Sequence, residues 1–277
     1  MINQTSLKQA LKHREVLQYE EDYAYLYPCD ELKPYISNIT ITFPTIEMIS
    51  NSYTVLPHGS VTVVLFHYKN ESYSFLFGPS TKPQCVGQLA NQCDVIFIIE
   101  FQPAGFYSFS NLRQNELKDK IIPFEYIDST LNKKLCDIFI SSLTVKELLS
   151  RMEETLKKHL LFEYPNELKE VIKQIIEMKG MVNVDYLSHH SYYSSRHLNR
   201  LFNQYLGISM KSFSRIVKMN KAIQLLNEKD NSLFTICEQL NYYDVSHFVR
   251  EFKLVCKLSP QQYRENMSDF YNEITKY

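Results

Sequence analysis

A chain of 277 residues exceeds the usual single-domain length of about 100–150 residues, so a larger and a smaller unit are expected. Its 44% apolar and 22% charged residues are those of globular protein and exclude long disorder, a collagenous repeat or a coiled-coil rod. Net charge is −1, yet residues 1–165 hold 15 basic against 19 acidic side chains and residues 166–264 hold 14 against 9, so the positive charge gathers toward the C-terminus.

In chain order, Met1 to Asp22 is polar and mixed in charge, lacks an apolar stretch of signal-peptide length, and reads as a loose end, as does the C-terminus. No later run approaches the roughly 18 apolar residues of a membrane helix, which points to a cytoplasmic protein without a membrane partner. Short strands rich in Val, Ile, Thr and aromatics follow: Ile36 to Phe43, Ser52 to Leu56, Ser60 to Tyr68, Tyr73 to Phe77 and Asp94 to Phe101, separated by Pro, Gly and Asn. Their spacing predicts an antiparallel sheet or small barrel.

Helical patterns then take over. Leu131 to Ile140 is one helix, and Thr144 with Glu147 makes a capping-box pattern ahead of Val145, Leu148, Leu149, Met152, Leu156 and Leu160. That apolar stripe suits either packing against the barrel or the face of a homodimer. Pro165 biases Tyr164 away from helical geometry, and the boundary is set there: 1–163 as a β-rich regulatory domain with C-terminal helices, 164–277 as a second, all-α domain. The fold class is thus α+β. Six cysteines, Cys29, Cys85, Cys93, Cys136, Cys237 and Cys256, show no C-x-x-C pair and no His at zinc-ligand spacing, so neither metal nor cofactor is expected. Cys85 and Cys93 are near enough in sequence for a redox switch; the competing reading is a pair of small buried apolar side chains.

The most informative feature is an internal repeat. At an offset of 50, His197 recurs as His247, Leu198 as Phe248, Arg200 as Arg250, Phe202 as Phe252, Ser209 as Ser259 and Phe213 as Tyr263. At an offset of 49, Leu187 recurs as Ile236, Ser188 as Cys237 and Ser191 as Leu240, the slip falling in a turn where it disturbs neither helix face. Each copy predicts a short helix, a tight turn and a second helix: Asn183 caps Val184 to His190 and Ser194 caps Ser195 to Leu206, then Ser232 caps Leu233 to Leu240 and Asp244 caps Val245 to Cys256. That is a helix-turn-helix, twice.

On the second helix of each copy, Leu198, Leu201, Phe202 and Tyr205, and likewise Phe248, Phe252 and Val255, fall at intervals that bury one face. The other face carries Ser195, Arg196, Asn199, Arg200 and Asn203 in the first copy and Val245, Ser246, His247, Val249, Arg250 and Lys253 in the second. Arg pairs guanine edges and Asn pairs adenine edges, so these are candidate DNA contacts, with Arg196, Asn199, Ser246 and Arg250 the expected base readers. Met210 to Leu226 reads as one connecting helix of about 25 Å, a spacing compatible with successive major-groove segments about 34 Å apart.

The run from Ser194 to Phe202 with Gly207-Ile208-Ser209, and the run from Asn241 to Lys253 with Leu258-Ser259-Pro260-Gln261-Gln262-Tyr263-Arg264, resemble the DNA-binding domain of the AraC/XylS family of transcription regulators over about a hundred residues. The resemblance implies two helix-turn-helix units in one domain, readout at Arg196, Asn199, Arg200, Ser246 and Arg250, promoter DNA as partner, and action through RNA polymerase. Tyr192 and Asn241 stand where the family often has a turn Gly, Met210 where the first unit often has Pro, and Lys257 where the second often has Gly. Asn241 suits a left-handed backbone; Tyr192 does not, and predicts a rearranged first turn. In the N-terminal part, Leu56-Pro57-His58-Gly59-Ser60, Val63 to Phe66, Gly78-Pro79 and Phe101-Gln102-Pro103-Ala104-Gly105 are similar to the β-rich sensor domain on many such regulators, which implies a small effector or a partner protein there. An enzyme alternative is the methyl-accepting DNA repair protein that shares this DNA-binding domain; its chemistry needs clustered cysteines, and the spacing here supplies none.

Overall fold

The computed structural model describes residues 2–228, 230–267 and 270–271. The chain begins with α1 (Gln4–Ala10), β1 (Val16–Tyr19), β2 (Tyr23–Leu26), β3 (Ile36–Thr42), β4 (Thr54–Val55), β5 (Thr62–Tyr68), β6 (Glu71–Phe77), β7 (Gln84–Cys85), α2 (Gly87–Ala90), β8 (Val95–Phe101) and β9 (Ile121–Pro123). Then come α3 (Ser129–Ser141) and α4 (Val145–Lys158). The main sheet is antiparallel in the order β1-β2-β3-β8-β5-β6-β9, and β4 and β7 form a small second sheet facing it. The five expected strands are all present.

Alternation along the strands divides the main sheet into two different faces. Ile39, Ile41, Val63, Leu65, Leu76, Phe97 and Ile99 point to one side, where they form a core with Leu7, Leu135, Leu148, Leu149, Met152 and Leu156 of the helices. The apolar stripe of α4 is therefore spent inside the domain, which overturns its reading as a dimer face. Nor is the N-terminus loose: Asn3 caps α1, and Ile2, Leu7 and Ala10 are buried against the core that α4 completes. Its polar composition concealed this because a helix of only two turns needs few apolar residues to dock. The expected looseness of the C-terminus falls largely on residues 272–277, outside the described residues.

Arg14 pairs with Glu153, and both are mostly buried. Glu153 Oε1 also accepts the Cys29 amide at 2.7 Å, while Arg14 donates to the Tyr27 carbonyl at 2.9 Å, so both charges are satisfied on several sides.

The other sheet face lines a cavity of about 820 Å³, roofed by β4, β7 and α2. Tyr23, Tyr25, Thr40, Thr62, Val64, Phe66, Phe75, Phe77, Ile98 and Glu100 form its floor and walls. The size and the mostly apolar lining are those of small-molecule sites. Cys93 and Cys85 both lie at this cavity; Cys93 is buried, and burial pushes its thiol up to about 12.

The C-terminal part contains α5 (Asn166–Glu177), α6 (Val184–Ser191), α7 (Ser195–Tyr205), α8 (Met210–Asn227), α9 (Leu233–Gln239), α10 (Val245–Cys256) and α11 (Pro260–Glu265). A last strand, β10 (Phe270–Tyr271), returns to pair in parallel with β4. Helix α5, absent from the sequence reading, buries Leu168, Val171, Ile172 and Ile175 in the first of two helical cores, beside Leu198, Phe202 and Phe213. The second core joins Met219, Ile223 and Leu226 of α8 to Ile236, Phe248, Phe252 and Tyr263. Helix α8 thus serves both.

The loop at residues 56–61 connects this arrangement to the N-terminal domain. Leu56 enters the second helical core, Asn220 Nδ2 donates to the Pro57 carbonyl at 3.1 Å, and a side chain at Gly59 would meet Ile208 Cδ1 at 3.1 Å. Tyr107 stacks edge-on against Tyr205 at 4.5 Å.

Candidate nucleic-acid interface

All four capping residues read from the sequence act as caps. Asn183 accepts from the Tyr186 amide, Ser194 from His197, Ser232 from Thr235 and Asp244 from His247. The helices therefore begin where expected, and α10 keeps its predicted bounds.

The turns are kept as well, including the one expected to be rearranged. Tyr192 adopts the left-handed conformation at φ 61° and ψ 17°, with its ring 96% exposed, and Asn241 does the same in the second unit at φ 51°. A non-glycine residue there costs about 1–2 kcal/mol locally. The turn survives because the buried helices on either side dictate its course.

Burial repeats at the offset of 50. Leu198 and Phe248, then Phe202 and Phe252, are fully enclosed. Arg196, Arg200 and Asn203 on α7 are exposed, as are Ser246, Arg250 and Lys253 on α10; Ser195, Val245 and His247 are half-buried. One face of each helix is thus wet and rich in hydrogen-bond donors, and its N-terminal end adds free backbone N–H groups with a positive dipole. Tyr205, half-buried, packs on the edge of the first helical core as its spacing predicts, and also meets the Tyr107 ring of the N-terminal domain.

Two of the candidates have internal partners. Asn199 donates from Nδ2 to the Ser195 carbonyl at 3.0 Å and accepts at Oδ1 from the Met210 amide at 3.2 Å, so it ties α7 to the start of α8. Asn203 donates to the Asn199 carbonyl at 2.8 Å but stays exposed. His197 stacks on Tyr193 at 5.1 Å, whereas His247 meets the edge of Tyr242 at 5.4 Å.

The second unit is held to α8 by two contacts across helices that sequence spacing does not reveal. Arg215 pairs with Glu251 at 3.0 Å, and Lys218 lies 3.6 Å above the Tyr242 ring, where burial lowers its ammonium below the ordinary range. The sequence reading also passed over Tyr243, which is 93% exposed just before α10, and Tyr193, half-exposed in the matching place before α7. The signal was available as a Tyr-Tyr pair repeated ahead of each capping residue. Their hydroxyls can donate to phosphate beside a helix N-terminus.

Residues 187–266 match the family described as a helix-turn-helix domain, and residues 25–123 match one described as a domain of unknown function (DUF6597). Over 99 residues the chain is 30% identical to the F1 operon positive regulatory protein of Yersinia pestis, covering 36% of this chain and 33% of that one. Over 132 residues it is 26% identical to the arabinose operon regulatory protein of Escherichia coli (strain K12), 47% of this chain and 45% of that one. The C-terminal domain is of the AraC type. The probable transcription factor PqrA of Proteus vulgaris is 26% identical over 101 residues, 36% of this chain and 83% of that one. The chain spans about a third of the length of the first curated relatives it matches. Among solved structures, ToxT from Vibrio cholerae aligns with 83% of this chain and 93% of its own at 12% identity and a TM-score of 0.42.

Among the described residues no helix is long and apolar enough to cross a membrane, and no group of three His, Cys, Asp or Glu side chains comes together as a metal site. The separated cysteines lend no support to the repair-enzyme alternative.

Proposed function

We propose that this protein is a cytoplasmic, non-enzymatic transcription regulator that binds double-stranded promoter DNA with α7 and α10 in successive major-groove segments. The observation that carries the reading is the repeated wet face, Arg196 and Arg200 on one helix and Ser246 and Arg250 on the other, backed in each case by an enclosed aromatic core. Arg196, Arg200 and Arg250 read guanine edges and Ser246 an adjacent base. Ser195, Asn203, Val245, His247 and Lys253 flank them, and Tyr193 and Tyr243 hold phosphate. Asn199, engaged at both ends of its amide, positions α7 and leaves base reading to its neighbours. Acting on a promoter, the protein works with RNA polymerase, as the operon-regulating relatives suggest by their names.

The N-terminal cavity is the effector site of the regulator. What supports this is its volume and the loop at residues 56–61, which leads from the cavity wall to both helical cores. Footprinting on fragments selected from a random DNA library tests the whole reading. Two protected segments about one helical turn apart are expected; a single segment, or none, would defeat it.

A further inference from the structure

Five strands turn every second side chain toward the sheet face that bounds the cavity, and their register sorts these into rows. Tyr25, Thr40, Ile98, Val64 and Phe75 lie side by side across β2, β3, β8, β5 and β6. The next row is Tyr23, Thr42, Ile96, Phe66 and Tyr73. Each row runs from an aromatic ring, over Thr and aliphatic side chains, to aromatic rings again. On the β5-β6 side the rings stand nearly parallel: Phe66 lies 6.0 Å from Phe75 with planes 11° apart, and 5.4 Å from Tyr73 at 24°. Opposite this floor the roof adds Ile49, Val55, Val86 and Leu89.

One row further along, Glu100 and Thr62 are neighbours across β8 and β5. Apart from tyrosines and cysteines, the ionisable side chains among the described residues of the lining are Glu100 and His58, and no Lys or Arg is found there. Both are buried, and both are already engaged by the protein. Glu100 Oε2 accepts from Asn38 Nδ2 at 3.5 Å, His58 Nδ1 shares a hydrogen bond with Ser60 Oγ at 3.0 Å, and each has further partners within the chain. The fold thus satisfies its own charges at this end and leaves the aromatic and aliphatic floor to an occupant.

Resting on the effector reading, we propose that the cavity takes an uncharged, flat aromatic molecule, its body lying on Ile98 and Val64 between the rings of Tyr25 and Phe75. Aromatic walls favour a flat π-system beyond the area that it buries. An ionised ligand of either sign would leave water for this lining, and Glu100 or His58 would meet its charge only by giving up bonds that each already makes. A sugar would leave hydroxyls unpaired against Phe66 and Phe75. Val55 of the roof runs directly into Leu56 in the second helical core. Gly78 and Ser80 of the lining flank Pro79, whose Cγ a side chain at Gly207 would meet at 3.1 Å, so occupancy bears on both helix-turn-helix units.

Calorimetric titration of the full-length protein tests this with naphthyl and biphenyl methyl ketones, each matched by the acetic acid and the methylamine of the same body. The ketones are expected to bind, with acids and amines at least about tenfold weaker. Val64→Trp, which fills the centre of the floor, should abolish ketone binding, and Phe75→Leu should weaken it by about two- to tenfold. Acids or amines binding as well as the ketones, no ketone binding at all, or ketone affinity unchanged in both variants overturns the ligand class. Footprinting with and without saturating ligand judges the effector reading separately. Ketones that bind and leave DNA occupancy unchanged defeat the effector site and not the ligand class; an acid or amine that binds and changes it does the reverse.

Discussion

Asn199 Oδ1 accepts a hydrogen bond from the Met210 amide at 3.2 Å, whereas the matching positions of the second unit are Val249 and Pro260. The exchange is matched on both sides. Proline at the first turn of α11 has no N–H to donate, and valine has no acceptor left wanting one. The first unit keeps both halves of the bond and the second neither. Asn199→Val and Met210→Pro should each destabilise the protein by about 1 kcal/mol, because each leaves the other partner unpaired. The double variant should lose clearly less than their sum. Urea unfolding of the four proteins measures the coupling.

Arg200→Ala and Arg250→Ala are each expected to lose about 1–3 kcal/mol of discrimination at one base pair, in different halves of the site. Binding to fragments with single-base changes reads this out, and an equal loss on every sequence would make these arginines phosphate contacts instead. Tyr243→Phe, by contrast, should weaken binding evenly across sequences.

Gly207 and Lys257 share the left-handed turn after α7 and α10, at φ 82° and 63°. A side chain at Gly207 would come within 2.5 Å of the Gln114 carbonyl of the N-terminal domain, while Lys257 is exposed. Gly207→Ala should therefore loosen the domains and accelerate proteolytic cleavage between them. Lys257→Gly should raise the Tm slightly, since relief of about 1–2 kcal/mol exceeds the about 0.4–1 kcal/mol of added chain entropy.

Glu153→Leu leaves Arg14 charged and mostly buried, so a loss of about 3–5 kcal/mol is expected in chemical denaturation. Adding Arg14→Met should recover most of it. A small loss in the single variant would mean that water reaches Arg14.

Burial pushes the Cys93 thiol up to about 12, so it stays protonated at pH 8, while Cys85 is exposed. Alkylation followed by peptide mapping should modify Cys85 in the native protein and Cys93 only after unfolding. Such behaviour identifies Cys93 as a buried apolar side chain and speaks against a redox switch.

The helical repeat was legible because its information is local. Ser194, Asp244 and their counterparts cap the helices within three residues, and Leu198, Phe202, Phe248 and Phe252 mark a buried face by spacing alone. Two further helices, α5 and α1, were not read. In α5 the spacing of Leu168, Val171, Ile172 and Ile175 is helical, but it follows directly on Pro165, a residue that also marks chain breaks. For α1, two turns of mostly polar residues carry almost no periodic signal.

By itself the sequence determined the strands, the two capped helix pairs and the wet faces bearing Arg196, Arg200, Ser246 and Arg250, since each follows from neighbours a few positions apart. Only the tertiary structure decided that Asn199 is engaged by Met210, that α4 is interior, that Tyr192 holds a turn normally given to glycine, and that Glu100 and Thr62 meet at one end of a cavity. The reason is physical. These outcomes depend on which distant backbone or side chain arrives to satisfy or enclose a group, and that arrival is set by packing rather than by local preference.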